Sequence, residues 1–413
     1  MGKINKKERK FNEETLLVTV DIGKKFNYGY ARTKDGQELE VFKFFNTGKG
    51  FEYFLKKVES FRAKTGLKNC LFGLESTGSY GLALIHYLHR RGYEIVQINP
   101  MHTKRLKELT DNSPNKTDKK DPKVIADIIE LNKYLTVIIP EGIFAELREL
   151  VHLREKILED LRRSYNRIEG QLFKIFPEFS QVMRDLTTKT SRYLLAHYTL
   201  PQFILDLGLT KLTELIKSVS KNRLGEEKAL ALYEAAKMSG GIKEGTRSIV
   251  MEIKIHLDQI DRLESYQKSL KDEIENYLKE VPYSRNILSI KGIGPIIAAI
   301  LIGELGDIRR YKSYRELEKI AGLNLYEVSS GQHKGKHHIS KRGRSLLRKA
   351  LFYIAINASR GILQEVYQVH KEKGMASAKA LTALSRKILA IIFALVRDDS
   401  FYIEGYKKSN KAA

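Results

Sequence analysis

Cysteine is almost absent from this chain, and long apolar runs are missing. The single cysteine, Cys70, excludes a disulfide framework and a zinc site built from cysteines. The longest apolar run, residues 388–396, is too short for a membrane-spanning helix, which needs about 20 residues. No apolar segment of signal-peptide type follows the basic residues 1–10. We therefore expect a cytoplasmic protein with a short disordered basic arm and no membrane partner.

Negative charge does not balance positive charge in this chain, and one long stretch lacks it. The chain has 73 Lys and Arg against 50 Asp and Glu, a net charge of +23. Residues 331–364 contain no acidic residue, whereas a solvated helix face normally mixes both signs. Both features indicate a polyphosphate partner, so we expect nucleic acid. The cations of this block that we expect to contact phosphate are Lys334, Lys336, Lys341, Arg342, Arg344 and Arg348.

The order of elements in the first third of the chain predicts its fold. At 413 residues the chain is long enough for two or three domains, which we place at residues 1–140, 141–280 and 281–413. The patterns of the first domain predict strands over residues 16–21, 28–33, 41–45, 70–75 and 94–99. They predict helices over residues 50–65 and 79–91, and a further helix starting near Pro122. This order, β-β-β-α-β-α-β-α, is that of an RNase H-like α/β fold, although another α/β arrangement has the same order.

The middle of the chain changes to a helical, heptad-spaced pattern. One apolar seam runs from Leu147 to Ile175 and is interrupted only by Arg154. A second runs from Ile249 to Tyr277, with His256 and Gln267 at two seam positions. Both predict long coiled-coil helices, paired within the chain, between chains or both. An ordinary helical bundle is the alternative, and residues 186–245 between the seams resemble short helices without chemical signature.

The C-terminal third begins with a glycine turn between two apolar segments. The run Ile290-Lys291-Gly292-Ile293-Gly294-Pro295 predicts a helix-hairpin-helix in a mainly helical domain. In such a turn, backbone N–H groups face a phosphate, so Lys291, Gly292 and Gly294 are candidate nucleic-acid contacts. A simple turn between helices remains the alternative.

Four carboxylates stand where an RNase H-like domain carries its metal ligands. Asp21 ends the first strand, and Glu75 ends the fourth strand, which lies beside the first. Asp118 and Asp121 are spaced i, i+3 as the last helix begins, so they point to one side. Four converging carboxylates repel one another unless cations neutralise them. We therefore predict a site for two Mg²⁺ ions that supports phosphoryl transfer.

The motifs around these acids resemble those of the DEDD transposases of the insertion-sequence-110 family. In the first half they are Val20-Asp21-Ile22-Gly23, Leu74-Glu75-Ser76-Thr77-Gly78 and Lys116-Thr117-Asp118-Lys119-Lys120-Asp121. In the second half they are Gly292-Ile293-Gly294-Pro295, Glu304-Leu305-Gly306-Asp307, Ala321-Gly322-Leu323, Ser329-Ser330-Gly331 and Ile339-Ser340-Lys341-Arg342-Gly343. The resemblance covers both ends of the chain in the same order, with the helical region between them.

This resemblance implies a site-specific DNA recombinase. Its RuvC-like acids, here Asp21, Glu75, Asp118 and Asp121, form a composite site with a C-terminal serine that becomes joined to DNA as a phosphoserine. The serine lies in Ser329-Ser330-Gly331, and we favour Ser330 over Ser329. The resemblance also implies a structured non-coding guide RNA that pairs with donor and target double-stranded DNA. A homo-oligomer, dimer or tetramer, assembled through the coiled coil is the expected state.

Two other classes of function remain open at this point. A RuvC-like nuclease would cut DNA junctions with metal-activated water and would need neither Ser329 nor Ser330. A coiled-coil nucleic-acid scaffold would use the acids only structurally. The four acids argue against the scaffold, and the serine motif with its basic block argues against the nuclease.

Overall fold

A computed structural model of the chain describes residues 10–75, 78–110, 121–136, 139–327 and 337–404. The chain forms two compact units, Met1–Ile139 and Pro140–Ala413. Within the described ranges, no helix combines the length and the apolar content needed to span a bilayer.

The first unit is built on a mixed six-stranded sheet. Its strands are β1 (Thr15–Asp21), β2 (Phe26–Arg32), β3 (Phe42–Phe45), β4 (Asn69–Glu75), β5 (Glu94–Ile98) and β6 (Leu135–Thr136). The order across the sheet is β3-β2-β1-β4-β5-β6. Strand β1 is parallel to β4, and β4 is parallel to β5, whereas β2, β3 and β6 pair antiparallel with their neighbours. The predicted mixed α/β fold, consistent with an RNase H-like domain, is confirmed in this unit.

Helices cover both faces of this sheet. They are α1 (Gly48–Thr65), α2 (Leu82–His89), α3 (Pro100–Thr110) and α4 (Asp121–Glu130). Even-numbered β1 residues such as Leu16 and Val18 share a core with α1 and α2, while Leu17 on the other face packs with α4. Because side chains alternate along a strand, even-numbered residues of β1 and β4 face α1 and α2, and odd-numbered residues face α4.

Two elements of this unit were not predicted, and one helix is clearly shorter than predicted. Helix α3 follows Asn99, whose side chain accepts a hydrogen bond from the N–H of Met101 at 2.9 Å. Asn99 as the cap and Pro100 in the first turn are typical of a helix start. The residues that follow include few apolar ones, so the sequence shows no apolar helical face and the helix was not predicted. Strand β6 has only two residues, too few for an alternating pattern. Helix α2 covers Leu82–His89 rather than residues 79–91, because Ser79–Gly81 form a turn in front of it.

The second unit is almost entirely helical. Its helices are α5 (Ile143–Ile175), α6 (Phe179–Val182), α7 (Lys189–His197), α8 (Pro201–Leu207), α9 (Leu209–Ser220), α10 (Glu226–Lys237), α11 (Thr246–Glu280), α12 (Ser284–Leu288), α13 (Pro295–Leu305), α14 (Tyr314–Ala321), α15 (Ser345–Ala358), α16 (Gln364–Glu372) and α17 (Ser377–Arg397). A short 3₁₀ helix (Ile308–Arg310) and a two-stranded sheet of β7 (Leu325–Glu327) and β8 (His337–Ile339) complete it. The predicted helical character of the C-terminal region is confirmed.

The two heptad-bearing helices, α5 and α11, pack against each other within the chain. At one end, Leu147 of α5 and Ile274 of α11 join the core of the C-terminal helices. At the other, Leu172 and Ile253 join a separate core formed with α6 to α10. The first turns of α5 therefore lie beside the last turns of α11, and the pair is antiparallel. Supercoiling and pairing between chains remain predictions.

Candidate functional site

The two strand-end acids lie level with each other on neighbouring strands. In the parallel β1–β4 pair, Val20 is opposite Leu74, and the next residues along the two strands are Asp21 and Glu75. Both acids are half-buried. Because neighbouring strands lie about 4.8 Å apart, this register places the two acidic residues side by side at the carboxyl edge of the sheet.

Helix α4 covers the sheet face on which both acids stand. The hydroxyl of Thr19 donates a 2.5 Å hydrogen bond to the carbonyl oxygen of Pro122, in the first turn of α4. On β4, a methyl group added to Gly73 would overlap Cδ1 of Ile129, also in α4. Asp21 and Glu75 each follow these positions by two residues, so they belong to the same face.

The third acid, Asp121, begins α4 at the same corner. It directly precedes Pro122, whose carbonyl group is bound to Thr19 of β1. The fold thus brings Asp21, Glu75 and Asp121 to one end of one sheet face. The fourth predicted ligand, Asp118, lies outside the described residues. Among the residues that the structure describes, no group of three or more acid, histidine or cysteine side chains is close enough to hold a metal ion.

Two asparagines that the sequence did not point to hold the loops beyond the acids. Asn27, fully buried, accepts a 3.0 Å hydrogen bond from the N–H of Gly23 and donates to Asn46 Oδ1 at 3.2 Å. Asn46 Nδ2 in turn donates to the carbonyl oxygens of Gly23 and Tyr80, at 3.2 and 3.1 Å. The segment after β1 is therefore tied to the segment after β4. Asparagine is common in turns, so its type and spacing alone gave no signal.

In the second unit, the glycine turn joins α12 to α13. Lys291, Gly292 and Gly294 are exposed in it, and Gly292 has a φ of +95°. Gly294 directly precedes α13, which has Pro295 in its first turn. The N–H groups at the start of α13 are therefore reachable from solvent, and phosphate binding by this turn stays a prediction.

The segment that carries the predicted serines is held at both ends. Strands β7 and β8 flank it and pair antiparallel, with Glu327 opposite His337. The residues Ser329, Ser330, Lys334 and Lys336 lie outside the described residues. The structure describes the two strands, β7 and β8, that precede and follow this segment, and we call them its base.

A backbone clamp fixes that base to α14. The N–H of Ser340 donates to the carbonyl oxygen of Asn324, and the N–H of Lys341 donates to that of Gly322, both at 2.9 Å. Gly322 has a φ of +66°, and a Cβ atom on it would lie 3.0 Å from the backbone nitrogen of Gly343, so glycine is strongly favoured at this close approach. The motifs Ala321-Gly322-Leu323 and Ser340-Lys341-Arg342-Gly343 are thus two halves of one contact.

The predicted phosphate-binding cations fall into two groups. Lys341 and Arg342 are exposed, and Lys341 has a φ of +53°, a left-handed conformation that non-glycine residues seldom adopt. Arg344 instead points inward and donates to the carbonyl oxygen of Glu304. Burial and the nearby positive charge of Arg148 lower the pKa of Arg344 to about 10, so it remains charged at neutral pH.

Arg348 is also engaged inside the unit. Its Nη1 donates to the carbonyl oxygens of Ala321 and Gly343, at 2.9 and 3.1 Å. These hydrogen bonds favour a structural role for Arg344 and Arg348, and the phosphate contact predicted for them from the sequence stays a prediction. Two of the acceptors, Glu304 and Ala321, lie 40 and 27 residues before the arginines that bind them, whereas Gly343 lies five residues before Arg348.

Comparison with known proteins agrees with this arrangement. A transposase family model for the DEDD enzymes of IS110 matches residues 18–177, and a second, described as the transposase IS116/IS110/IS902 family, matches residues 284–368. The chain belongs to the IS110 transposase family. The first match contains all four predicted acids, and the second contains the glycine turn, the serine segment and the exposed cations.

Two insertion-element proteins align over nearly the whole chain, and a third relative aligns over part of it. The protein of insertion element IS110 from Streptomyces coelicolor is 24% identical over 94% of this chain and 95% of its own length. The protein of insertion element IS116 from Streptomyces clavuligerus is 24% identical over 94% and 96%. A pilin gene-inverting protein of Moraxella lacunata is 28% identical over 38% of this chain and 52% of its own. As a member of this transposase family, the chain is a DNA-processing enzyme.

Proposed function

We propose that this IS110-family transposase cuts and rejoins DNA at a composite site of four acids and one serine. The observation that carries the proposal is the register of β1 and β4. It sets Asp21 level with Glu75 beneath the first turn of α4, where Asp121 stands. Asp21, Glu75 and Asp121 belong to three separate elements and lie at the same end of one sheet face, which supports the proposal.

The described side chains at this corner, those of Asp21, Glu75 and Asp121, are carboxylates, the type of donor that hard divalent cations prefer. Asp21, Glu75, Asp118 and Asp121 would hold two Mg²⁺ ions, since carboxylate oxygens are the ligands that Mg²⁺ prefers. When bound, the ions would stabilise negative charge at the reacting phosphate. The chain's own contribution is to fix the ligands: Thr19 anchors α4 to β1, and Asn27 and Asn46 hold the loops beyond the strand ends.

Ser330 is the proposed nucleophile. Its Oγ would form an ester with the scissile phosphorus while the bond from phosphorus to the DNA oxygen breaks, and the hydroxyl proton would pass to the departing DNA strand. Rejoining is the reverse attack by a DNA hydroxyl, so no energy source is consumed. The clamp between Asn324 and Ser340 supports this role because it holds the base of the segment that presents the serine.

Nucleic-acid partners follow from the exposed charge. Lys341 and Arg342 beside the serine segment, and Lys291 in the glycine turn, are exposed cations suited to phosphate. We propose donor and target DNA as substrates and a structured non-coding RNA as the guide that selects them. DNA inversion, named for the Moraxella relative, is the same class of strand exchange. Assembly of a dimer or tetramer is part of the proposal.

A denaturing gel tests the chemistry. Wild-type protein incubated with Mg²⁺, its co-purified RNA and labelled DNA should yield DNA covalently joined to protein. Ser330→Ala should abolish the adduct while RNA binding persists, and Ser329→Ala is the matched control. If Ser329→Ala alone abolishes the adduct, the nucleophile is one residue earlier.

Two further outcomes would contradict the serine mechanism. Free cut DNA without an adduct would favour the junction nuclease that uses water. An adduct formed by the Ser329→Ala/Ser330→Ala double variant would place the nucleophile elsewhere in the chain.

A further inference from the structure

The sheet face that carries the acids continues onto strands β2 and β3. Tyr28 is opposite Asp21 in the β1–β2 pair, and Lys43 is opposite Tyr28 in the β2–β3 pair. Phe26 is opposite Phe45. Directly paired residues share a face, so all of these side chains stand on the face of Asp21. At a strand spacing of about 4.8 Å, Lys43 is about 10 Å across the sheet from Asp21.

Helix α4 packs on the part of β2 that is farther from the acids. Its Asp127 pairs with Arg32 at 2.7 Å, and its Lys123 ammonium lies 5.3 Å from the Tyr30 ring centroid. Nearer the acids, the side chain of Phe45 is 53% exposed. The same face is therefore packed at one end of β2 and open to solvent at the other.

The open part presents an aromatic pair beside two ammonium groups. The rings of Phe26 and Phe45 are 4.7 Å apart between centroids. The Nζ atoms of Lys43 and Lys25 lie 3.8 and 5.4 Å from the centroid of Phe26. We call Phe26, Phe45, Lys25 and Lys43 the β2–β3 platform. A nucleotide has matching chemistry, because its base stacks on an exposed ring while its phosphate binds lysine.

Part of the platform has a simpler explanation, which accounts for the lysines only. Strand β3 is an edge strand, and lysine on an edge strand discourages pairing with a second copy of the chain. An exposed Phe45 works against that purpose, since it adds apolar surface at the same edge. Edge protection therefore leaves the aromatic pair unexplained.

We propose that the β2–β3 platform binds unpaired nucleotides of the DNA strand that enters the acid corner. The proposal rests on the proposed function, because it takes the strand next to the acids to be the one that is cut. Charge complementarity favours a nucleic acid, and the shared face with Asp21 favours the DNA strand over the RNA. Stacking of bases on an aromatic ring depends little on base identity, so the platform would suit a DNA strand whose sequence is selected by the guide RNA.

A local probe tests this independently of cleavage. The full chain is titrated, in EDTA so that metal-dependent cutting cannot occur, into single-stranded DNA containing 2-aminopurine, whose fluorescence falls on stacking. We expect Phe45→Ala to weaken the quenched complex about tenfold. Phe45→Trp should preserve it, and Phe45→Leu should not, because leucine keeps apolar area but lacks a ring. Tyr53→Ala, an exposed aromatic on the α1 side of the sheet, is the matched control.

The remaining experiments test the two lysines and the alternative ligands of the platform. Lys25→Gln/Lys43→Gln should reduce the salt dependence of this complex by about 1.4 in the log–log slope, for two phosphates on a single strand. Unchanged quenching in Phe45→Ala would overturn the proposal, as would an effect confined to RNA oligonucleotides. A change of oligomeric state in Phe45→Ala would assign the platform to a second copy instead. If the wild-type protein quenches 2-aminopurine but forms no covalent adduct in the separate assay with Mg²⁺, the proposed serine chemistry is wrong and the platform proposal stands.

Discussion

Nε2 of His152, on α5, lies 2.7 Å from Oε1 of Glu304, on α13, whose side chain is only 2% exposed. Burial alone would raise the pKa of the Glu304 carboxyl. The hydrogen bond with His152 and the charges of Arg344 and Arg148 outweigh it, so the pKa is held below its usual value. This carboxylate belongs to the Glu304-Leu305-Gly306-Asp307 motif, and it joins α5, α13 and the start of α15.

Removing the Glu304 charge should destabilise the helical unit strongly. Glu304→Gln leaves Arg344 and Arg148 without their buried counter-charge, which we expect to cost about 3–5 kcal/mol in the free energy of unfolding. Urea unfolding at neutral pH measures this. Glu155→Gln is the control, because Glu155 joins α5 to Lys349 of α15 in a more exposed pair worth about 1 kcal/mol or less. Equal effects of the two variants would contradict the prediction.

The lowered pKa of Glu304 makes the stability of the helical unit depend on pH. Because its folded-state pKa is lowered, the stability it contributes is fully present above the ordinary value of 4.5 and is lost as the pH falls through the folded value. The difference in unfolding free energy between wild type and Glu304→Gln should therefore shrink as the pH falls below 4.5 towards and through the folded-state pKa. A difference that grows on acidification would show that the carboxyl is not held ionised by the fold.

Substituting the acids should abolish both chemistry and metal response. We expect Asp21→Ala, Glu75→Ala and Asp121→Ala each to lower recombination by about 100-fold or more, with RNA binding retained. Mg²⁺ should raise the Tm of the wild-type protein, and this rise should vanish in Asp21→Ala. Glu94→Ala, at the other end of β5, is the control. Normal recombination by Asp21→Ala would remove the metal site from the mechanism.

The contact between Gly73 and Ile129 should be measurable as an energetic coupling. Gly73→Ala forces a methyl group into Cδ1 of Ile129 and should cost about 1–3 kcal/mol of stability. Ile129→Val removes that carbon and should cost about 0.5–1.5 kcal/mol alone. The double variant should be more stable than the sum of the two losses implies. Strict additivity would mean that α4 does not pack on β4 beside Glu75 as described.

Removing the exposed cations should weaken DNA binding, whereas removing an internally bonded arginine should lower the stability of the unit. Lys341→Gln/Arg342→Gln should weaken duplex binding for all sequences alike and reduce the salt slope by about 1.8. Arg348→Gln should leave that slope unchanged and lower stability by about 1–3 kcal/mol, because it frees two backbone carbonyl groups. A salt slope altered by Arg348→Gln would return that arginine to the DNA surface.

The sequence predicted the sheet and the acid corner better than the roles of single cations. Strands β1 and β4 are mainly apolar and each ends in an acid, and alternation then dictates the face on which each acid stands. No local pattern indicates that Arg344 turns inward, because its partner Glu304 lies forty residues earlier on another helix. The hydrogen bonds of Asn27 and Asn46 likewise depend on tertiary contacts that sequence periodicity does not encode.

The antiparallel α5–α11 pair sets a fixed distance inside the helical unit. At 1.5 Å per residue, α5 from Leu147, in the core of the C-terminal helices, to Ile175, in the core of α6 to α10, is about 40 Å long. Duplex DNA rises about 3.4 Å per base pair, so this length corresponds to about 12 base pairs. The two cores are therefore separated by slightly more than the length of one turn of duplex DNA, and a heptad added to both helices would increase this separation by about 10 Å, or about three base pairs.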